Sequence, residues 1–305
     1  MISGLILIDK PRGIRSTHCV STLRNILKNK IKVGHGGTLD STADGLLVLL
    51  VGSATRLSNY VMMLPKEYSV TIQLGTITDT LDYGGEVLAR NYFKHISEKD
   101  IDVLLPAFLG TRMQKPPVIS ALKLQGKRAS DLKRSGLEPE MLPRPVTITS
   151  ICRISSLNTE GQVSLYIKCH KGTYVRSIVR DIGTMLGCGA SVLKLTRVKT
   201  GFMSLDQALP FDEMIKINEK NISETILPIQ NFIKHFTLYD IAEPLEVELK
   251  NGKIIPLTEL QCISRGMVFA QDAVCAAGKN LVSLGILRYR NNKAFFKPQT
   301  NLFLE

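Results

Sequence analysis

One glycine-rich segment holds the residue types in this chain that are most able to do chemistry. Residues 34–40 read Gly-His-Gly-Gly-Thr-Leu-Asp, and a second aspartate, Asp44, follows directly before Gly45. Glycines allow a tight backbone turn and the close approach of a bulky ligand. A carboxylate at the edge of such a loop can act as a nucleophile or as a proton acceptor. Aspartate beside glycine is also common in turns and helix caps, so residue type alone leaves both roles open for Asp40 and Asp44.

Three short motifs in order carry a family resemblance. Residues 34–40, the Gly-Leu-Leu of residues 45–47 and the Gly-Ser-Ala-Thr-Arg of residues 52–56 resemble the signature of the TruB family of tRNA pseudouridine synthases. The resemblance implies isomerisation of uridine in the T loop of tRNA, at the position called 55 in standard tRNA numbering. The bond between uracil N1 and ribose C1′ breaks, and the base rejoins the sugar through C5. The family pattern assigns the catalytic carboxylate to the aspartate directly after Thr-Leu, which is Asp40.

A positively charged partner for that carboxylate is found much later in the chain. A carboxylate that must stay ionised in a pocket without water is usually paired with a guanidinium. Residues 172–177, Gly-Thr-Tyr-Val-Arg-Ser, resemble the family segment whose arginine pairs with the catalytic aspartate, which makes Arg176 the expected partner. Arg180 lies one helical turn further on and is expected to form an ordinary surface ion pair.

The resemblance also assigns residues that contact the substrate. In the Lys66-Glu67-Tyr68 motif the tyrosine is expected to stack on the target base and to assist proton transfer, although a tyrosine at a strand start is often a core residue. His35 is expected to help hold nucleotides turned out of the loop, with a structural turn histidine as the alternative. Tyr174 and Leu195 correspond to positions next to the substrate, and either is equally compatible with plain core packing.

Basic residues are expected to hold the RNA. Lys10 opens a Lys-Pro-x-Gly-x-x-Ser match and is expected to brace the catalytic loop. Residues 112–134 carry seven basic side chains and one acidic side chain, Asp131. Within that stretch, Lys123, Lys127 and Arg128 are expected to contact phosphates and so to offset the few kcal/mol that extruding a base costs. A solvated loop is the alternative for any such cluster.

Composition and charge limit the possible classes of protein. The chain has 305 residues, 44% of them hydrophobic, and a formal net charge of +12, which favours a polyanionic partner. A secretory signal and an apolar run long enough to cross a bilayer are not apparent, so a cytoplasmic protein is expected. The six cysteines show no C-x-x-C spacing, and no phosphate-binding glycine loop with its lysine is found, so neither a metal nor a nucleotide cofactor is expected. The acids of residues 79–86 lack the ligand spacing of a calcium loop and are expected to cap the loop.

The order of elements predicts an α+β fold in which helices flank a central mixed sheet, the pseudouridine synthase fold that the resemblance implies. Residues 1–240 are expected to form the catalytic domain, with an RNA-gripping insertion at about 111–145. Residues 241–305 are expected to form a small PUA-like β-barrel that binds RNA. Hydrophobic periodicity predicts strands at 5–8, 46–51, 68–74, 146–154, 163–169, 245–249, 266–269 and 281–287. Helices are predicted at 16–28, with Ser16 as N-cap, and at 55–63, 128–134 and 173–186, and another is predicted between Ser97 and Gly110.

The sequence also departs from the family pattern. Ser41 stands where a proline usually follows the catalytic aspartate, and Gly36 replaces a common threonine, so a more mobile loop is expected. Ile119 replaces a usual tyrosine, and Ala129-Ser130 replaces a Leu-Tyr-like pair. These changes lie mostly in the RNA-gripping insertion and bear on binding more than on chemistry.

Two rival functions stay open at this stage. One is a pseudouridine synthase that acts on another RNA, and the other is an RNA-binding or RNA-folding protein without turnover. The family resemblance implies a monomer that acts on the T stem-loop of tRNA.

Overall fold

The computed structural model describes residues 2–120, 122–124, 126–218, 221–266 and 273–303. The strands are β1 (Gly4–Lys10), β2 (Val33–His35), β3 (Asp44–Val51), β4 (Lys66–Leu74), β5 (Thr76–Thr78), β6 (Val87–Arg90), β7 (Gly110–Gln114), β8 (Lys123–Leu124), β9 (Lys127–Arg128), β10 (Arg144–Arg153), β11 (Gln162–Cys169), β12 (Ala190–Thr200), β13 (Met203–Ser204), β14 (Leu209–Pro210), β15 (Thr237–Asp240), β16 (Ile255–Pro256), β17 (Gln261–Ser264), β18 (Ala273–Ala277), β19 (Leu281–Arg290) and β20 (Lys293–Phe303). The α-helices are α1 (Ser16–Ile26), α2 (Ser58–Met63), α3 (Glu98–Leu104), α4 (Ala129–Arg134), α5 (Val175–Met185), α6 (Phe211–Met214), α7 (Ile222–Thr225), α8 (Ile229–Ile233) and α9 (Glu243–Lys250). Short 3-10 helices span Gly52–Leu57, Leu105–Phe108, Leu205–Gln207 and Leu257–Glu259.

The larger sheet carries the glycine-rich loop. In the described part of the chain it has ten strands, with the order β14-β1-β3-β12-β4-β11-β10-β7, and β2 and β13 pair at its sides. Strand β1 pairs parallel with β14, and β3 pairs parallel with β12, while the neighbours along the rest of the path are antiparallel. The predicted α+β class with a mixed central sheet is therefore confirmed.

Both faces of strands β1 and β3 are covered, since Leu46 and Val48, on the side opposite to α1, pack in a cluster with Phe232 of α8. Helix α1 and its neighbours bury one face through residues such as Cys19 and Leu23, which pack against the apolar side chains of β1 and β3. Helix α5 packs Ile178 and Ile182 against β4, β11 and β12. The helical spacing of these apolar residues is what allows each helix to present one face to the sheet. Among the helices that the structure describes, none combines the length and apolar character that a membrane crossing requires.

Of the two helix starts predicted from a serine, the one at Ser97 is confirmed and the one at Ser16 is not. Ser97 is an N-cap, since its hydroxyl accepts from the Asp100 amide and the Asp100 carboxylate accepts from the Ser97 amide, as in a capping box. The prediction that Ser16 caps α1 was wrong, because Arg15 is the N-cap residue and Ser16 is the first residue of the helix. The Ser16 hydroxyl instead bonds the backbone of Leu39 in the glycine-rich loop.

The second sheet contains six strands in the described residues, in the order β16-β20-β19-β18-β15-β17, and it curls into a half-barrel. Its first strand, Thr237–Asp240, lies before the expected domain boundary at residue 240, so the change from one sheet to the other falls just before Thr237. The strand predicted at 281–287 is confirmed as part of β19. Of the strand predicted at 266–269, residues 267–269 lie outside the described part of the chain.

The strand predicted at residues 245–249 was wrong, because this segment belongs to helix α9. The sequence Leu-Glu-Val-Glu-Leu alternates with a period of two, but it also places Leu245 and Leu249 four residues apart on one helical face. Leu249 is fully buried, Val247 is 59% exposed, and Pro244 occupies the first helical turn, where a proline is tolerated. Five residues are too few to distinguish the two periods.

The two sheets share one hydrophobic core. Leu46 and Val48 of β3 belong to the same cluster as Phe232 of α8 and Cys275 and Leu284 of the second sheet. A hydrogen bond also joins them, since the Arg56 guanidinium donates to the backbone carbonyl of Asn301 at 2.7 Å. The second sheet is therefore packed onto the first rather than joined only by a linker.

We expect Gly183→Ala in α5 to destabilise the protein, although alanine normally favours a helix by about 1 kcal/mol over glycine. A Cβ at Gly183 would lie 2.1 Å from the backbone nitrogen of Ala190, which cannot move away without disturbing β12. We expect the free energy of unfolding in urea to fall by about 2 kcal/mol. Thr184→Ala, on the exposed side of the same helix, is the control and is expected to stay within about 0.5 kcal/mol. A gain in stability for Gly183→Ala would contradict this packing.

Candidate active site

The loop between β2 and β3 carries Asp40 and is tied to the protein by its backbone. The Ser16 hydroxyl donates to the Leu39 carbonyl and accepts from the Leu39 amide, at 2.8 and 2.9 Å. The Gly13 amide donates to the Ser41 carbonyl at 2.8 Å. These bonds fix the residues on both sides of Asp40. The carboxylate is therefore presented by a loop whose conformation is set from outside the loop.

Lys10 holds the far end of the same loop. Its fully buried ammonium group donates to the carbonyls of Pro11, Ile14 and Ala43 at 2.7 to 2.9 Å. All three donors of the ammonium are thereby used. Burial lowers the pKa of Lys10 from its ordinary value. The structure thus places Lys10 under the loop, as a brace, and away from the cavity described below.

Arg197 makes the corresponding contacts on the other side of the loop. Its buried guanidinium donates to the carbonyl of Leu46 at 2.7 Å and to the carbonyls of Thr38 and Gly37 at 3.2 and 3.3 Å. Strand β12, which carries Arg197, is thereby linked to the glycine-rich segment. No motif in the sequence indicates this role of Arg197, because a basic residue within a strand gives no signal of its partners.

Asp40 forms a close ion pair with Arg176. The distance from Arg176 Nη2 to Asp40 Oδ2 is 2.7 Å, and the exposed fractions of the two side chains are 5% and 41%. The same guanidinium donates to the carbonyls of Thr80 and Ile119 at 2.8 and 2.9 Å. The bond from Arg176 to Ile119 uses the backbone carbonyl of Ile119, so it does not depend on which side chain stands at position 119. Asp40 and Arg176 are 136 positions apart in the sequence and are brought together as predicted.

A second carboxylate, Asp82, lies behind Arg176. Its Oδ2 is 3.5 Å from Arg176 Nη1 and accepts from the Thr42 hydroxyl at 2.9 Å, while Oδ1 accepts from the Thr80 hydroxyl and the Gly84 amide. Asp82 is buried, with 3% of its surface exposed. Asp82 caps its own loop, as predicted for the acids of this segment. It also orients the arginine, which no local motif indicates.

The Asp40–Arg176 pair opens onto a cavity of about 470 Å³. Five of the predicted site residues line it, namely Asp40, Tyr68, Tyr174, Arg176 and Leu195. Met62, Lys66, Leu122 and Arg197 are also among the lining residues. Aromatic and apolar walls with a few charged groups are typical of a small-molecule or nucleobase site. His35 and Lys10 are not among the lining residues.

Tyr68 stands on β4 and faces this cavity. Burial raises the pKa of its phenol to about 12, while the neighbouring charge of Arg197 acts in the opposite direction. The phenol is therefore neutral over the physiological range and can donate a hydrogen bond or a proton. Tyr174 also has a pKa raised by burial. Both rings present an aromatic surface and a protonated hydroxyl to the cavity.

Lys66, the first residue of the Lys-x-Tyr motif, anchors the start of β4. Its ammonium group donates to the carbonyls of Val61, Met62 and Leu64, at the end of α2. Carbonyls in the last turn of a helix carry its negative dipole end. Burial lowers the pKa of Lys66 to about 7, whereas the three carbonyl oxygens favour the charged form. The bond network holds the helix end against the strand that carries Tyr68.

His35 occupies the end of β2 at the start of the glycine-rich loop. Its Nδ1 accepts from the Gly37 amide at 3.3 Å, so a neutral ring carries its proton on Nε2. Burial, and secondly the charge of Arg197, lower the pKa of His35. The next residue, Gly36, has no space for a side chain, because a Cβ there would lie 2.2 Å from Val61 Cγ1.

The basic insertion flanks the cavity through Leu122. Lys127 is exposed in the β8–β9 hairpin. The side chains of Lys123 and Arg128 lie outside the described part of the structure, as does Ala121. Their proposed contacts with phosphate stay predictions.

The two rival residues have other partners. Asp44 accepts a short hydrogen bond from the Thr196 hydroxyl and lies 3.6 Å from the Arg12 guanidinium. Arg180 pairs with Asp181 at 2.8 Å, the ordinary ion pair expected of it. Among the pairs formed by the described residues, the Asp40–Arg176 pair is the one that lines the 470 Å³ cavity.

Comparison with protein families gives two matches. Residues 24–175 match the model of the TruB family pseudouridylate synthase N-terminal domain, and residues 176–234 match that of the tRNA pseudouridylate synthase B C-terminal domain. The two matches are contiguous, and the loop, the ion pair and the cavity all lie inside them.

Relatives with known names agree over most of the chain. The tRNA pseudouridine synthase B of Bacillus pumilus is 37% identical over 286 residues, which is 91% of this chain and 92% of the relative. The protein of the same name from Bacillus subtilis is 33% identical over the same shares of the two chains.

Solved structures share the fold. A Cbf5-Nop10-Gar1 complex aligns with a TM-score of 0.72 at 21% identity, covering 98% of this chain and 84% of that one. An H/ACA RNP bound to a substrate RNA containing 2′-deoxyuridine aligns with a TM-score of 0.71 at 20% identity, covering 99% and 85%. At this identity the likeness shows the fold, including a C-terminal half-barrel consistent with a PUA-like domain.

The fold, the cavity and the two matching family models together place this chain in the class of pseudouridylate synthases. Because contiguous models cover residues 24–234 and relatives above 30% identity cover nearly the whole chain, the protein belongs to the TruB family.

We expect Lys10→Met to lower the free energy of unfolding by about 3 kcal/mol, because three carbonyls, of which that of Ala43 is buried, would lose their donor. Urea unfolding followed by circular dichroism measures the change. Lys30→Met is the control, since Lys30 is exposed and is expected to tolerate the change within about 0.5 kcal/mol. Equal stability of the two variants would mean that Lys10 does not brace the loop.

Proposed function

We propose that this protein isomerises uridine to pseudouridine in tRNA, at position 55 of the T loop, with Asp40 as the catalytic carboxylate. The single observation that carries the proposal is the ion pair of Asp40 with Arg176, 2.7 Å long, at the wall of a cavity lined by Tyr68. Membership in the TruB family and relatives named tRNA pseudouridine synthase B support the reaction and the tRNA substrate.

The arrangement suits a reaction in which one carboxylate acts on an extruded nucleoside. Breakage of the N1–C1′ bond leaves the sugar electron-deficient, and a carboxylate can bond to it or stabilise it. The uracil then turns, C5 bonds to C1′, the C5 proton leaves, and N1 is protonated. Arg176 holds the Asp40 carboxylate in position, and Asp82 with the two carbonyls holds Arg176. The Asp40 carboxylate held in this way can make either first attack, on the sugar or on the uracil ring.

Tyr68 is placed to stack on the uracil and to handle its protons. With a pKa of about 12 its hydroxyl is protonated at neutral pH, so it can donate but is a weak base. Leu195 and Tyr174 supply further surface for the base in the same cavity. The aromatic and apolar part of this lining fits the neutral base of a uridine.

We assign the extrusion of the nucleotide to His35 together with the basic insertion. Unstacking a base costs a few kcal/mol, which contacts to the RNA backbone can offset. Lys127 is exposed and free to reach phosphate. Lys123 and Arg128 are proposed to act with it.

The T stem-loop as substrate, a monomeric state and a cytoplasmic location complete the proposal. Activity on an isolated T stem-loop would argue against a guide-dependent synthase that acts on another RNA. A protein that only binds or folds RNA has no need of a carboxylate fixed by an arginine in a nucleobase-sized cavity.

We expect Asp40→Asn to abolish product formation while tRNA binding is kept, because the amide retains the shape but not the charge. Purified protein is incubated with T-arm RNA, and pseudouridine is mapped. Asp44→Asn is the matched control, four residues on at the start of β3, and is expected to retain pseudouridine formation. Persistent product from Asp40→Asn would remove this aspartate from the mechanism, and absence of product from the wild type would favour the binding protein.

We expect Tyr68→Phe to lower the single-turnover rate by about 100-fold, within the usual contribution of a positioned acid or base. The raised pKa also means that the phenol stays protonated as the pH rises, so its ionisation should cause no loss of wild-type rate between pH 7 and about pH 10. Rates measured across this range with saturating enzyme test both statements. A wild-type rate that declines with an apparent pKa near 9 and is flat in Tyr68→Phe would contradict the assignment.

A further inference from the structure

Two buried cations at the cavity wall, Lys66 and Arg197, have no carboxylate partner among the described residues. Arg176, by contrast, is paired with Asp40 and Asp82. A guanidinium stays protonated in proteins, so Arg197 places a full positive charge beside the cavity. Burying such a charge without a counter-ion is unfavourable, and an anion that forms next to it offsets the loss.

Arg197 differs from Lys66 in the hydrogen-bond donors that it has left. The ammonium group of Lys66 uses its three donors on carbonyls at the end of α2. The guanidinium of Arg197 has five N–H groups, of which three donate to the carbonyls of Leu46, Thr38 and Gly37. Arg197 can therefore bind a further acceptor at the cavity without releasing the loop.

The hydroxyl of Tyr68 is that acceptor. Tyr68 on β4 stands directly opposite Arg197 on β12 in the strand register, and both residues line the cavity. Opposite side chains of an antiparallel pair start about 5 Å apart. Burial raises the pKa of the phenol, whereas the charge of Arg197 and a hydrogen bond from its guanidinium act in the opposite direction. Because arginine has no acceptor atom, the oxygen of Tyr68 accepts this bond.

The direction of this bond determines where the proton of Tyr68 points. A phenol carries one O–H group, and its oxygen faces the guanidinium, so the proton is directed away from Arg197. The same guanidinium binds the carbonyls of Gly37 and Thr38, just before Asp40 in the chain. Arg197 thus links the phenol to the loop that carries the carboxylate.

We propose that Arg197 is a positioning residue that directs the proton of Tyr68 into the cavity and stabilises the phenolate left when that proton is transferred. This role rests on the proposed function, since it takes uridine as the substrate. Arg197 acts here through Tyr68 and makes no contact of its own with the reacting atoms.

The proton balance of the isomerisation allows this role. C5 of the uracil loses one proton and N1 gains one, so no proton is taken up or released overall. Tyr68 can pass its hydroxyl proton to N1 and accept the proton from C5, which restores the phenol. Between the two transfers the oxygen carries a negative charge, and Arg197 is the cation beside it. A charge fixed in advance stabilises such an anion more strongly in a partly dehydrated site than in water.

A double-mutant cycle tests whether Arg197 acts through the Tyr68 hydroxyl. With Tyr68 present, we expect Arg197→Gln to lower the single-turnover rate on T-arm RNA by about 30-fold. In the Tyr68→Phe background no hydroxyl is left to direct, so the same change is expected to lower the rate by less than about threefold. Lys199→Gln removes an exposed cation from the same strand and is expected to leave the rate unchanged. An equal loss in both backgrounds would overturn the proposal, since Arg197 would then act only on the loop.

A second variant separates this role from folding and from RNA binding. Arg197→Lys keeps the charge and can still donate to the loop, so it is expected to recover part of the rate lost in Arg197→Gln. Its own cycle with Tyr68→Phe gives the same test should Arg197→Gln fail to fold, which thermal melting followed by circular dichroism shows. The dissociation constant for T-arm RNA is expected to equal that of wild type in both variants.

A large loss of RNA affinity in these variants would mean that Arg197 binds the RNA itself and would also overturn the proposal. Failure of the proposed function gives a different result, because the wild-type protein would then make no pseudouridine. Failure of the role of Arg197 alone leaves the wild type active and makes the effects of the two substitutions multiply.

Discussion

Backbone carbonyl oxygens bound by buried cations are the constraint on which the candidate site depends. Lys10, Lys66, Arg176 and Arg197 are all buried, and together they bind eleven carbonyl oxygens of the loops around the cavity. Taking four charges out of water is unfavourable unless their donors are satisfied. Each cation therefore specifies one loop arrangement, since any other would leave it without partners. The loop that carries Asp40 is surrounded by such contacts.

The same cations give the cavity a positive surround. Asp40 is a single negative group among Arg176, Arg197 and Lys66, and Asp82 is occupied with hydroxyls, an amide and Arg176. Preorganised charges in a partly dehydrated site act more strongly than they would in water. Loop geometry and electrostatics are thus supplied by one set of side chains, which links the stability of the loop to its chemistry.

Sequence motifs identified residues that line the cavity better than they identified the buried residues that bind and orient them. Asp40, Tyr68 and Arg176 stand in recognisable motifs, and all three line one cavity. The roles of Asp82 and Arg197 were not predicted, because each residue binds a partner more than 90 positions away in the chain. Local periodicity was reliable for long strands such as β19 and failed for α9, where five alternating residues fit a helix equally well. Ser16 showed a third limit, since its hydroxyl serves a distant loop in place of its own helix.

The contact between Gly36 and Val61 has an evolutionary consequence. The valine side chain fills the space that a larger residue at position 36 would need. Neither position can change alone without a collision or a void beside the catalytic loop. A larger residue at position 36 therefore becomes tolerable only together with a smaller residue at position 61.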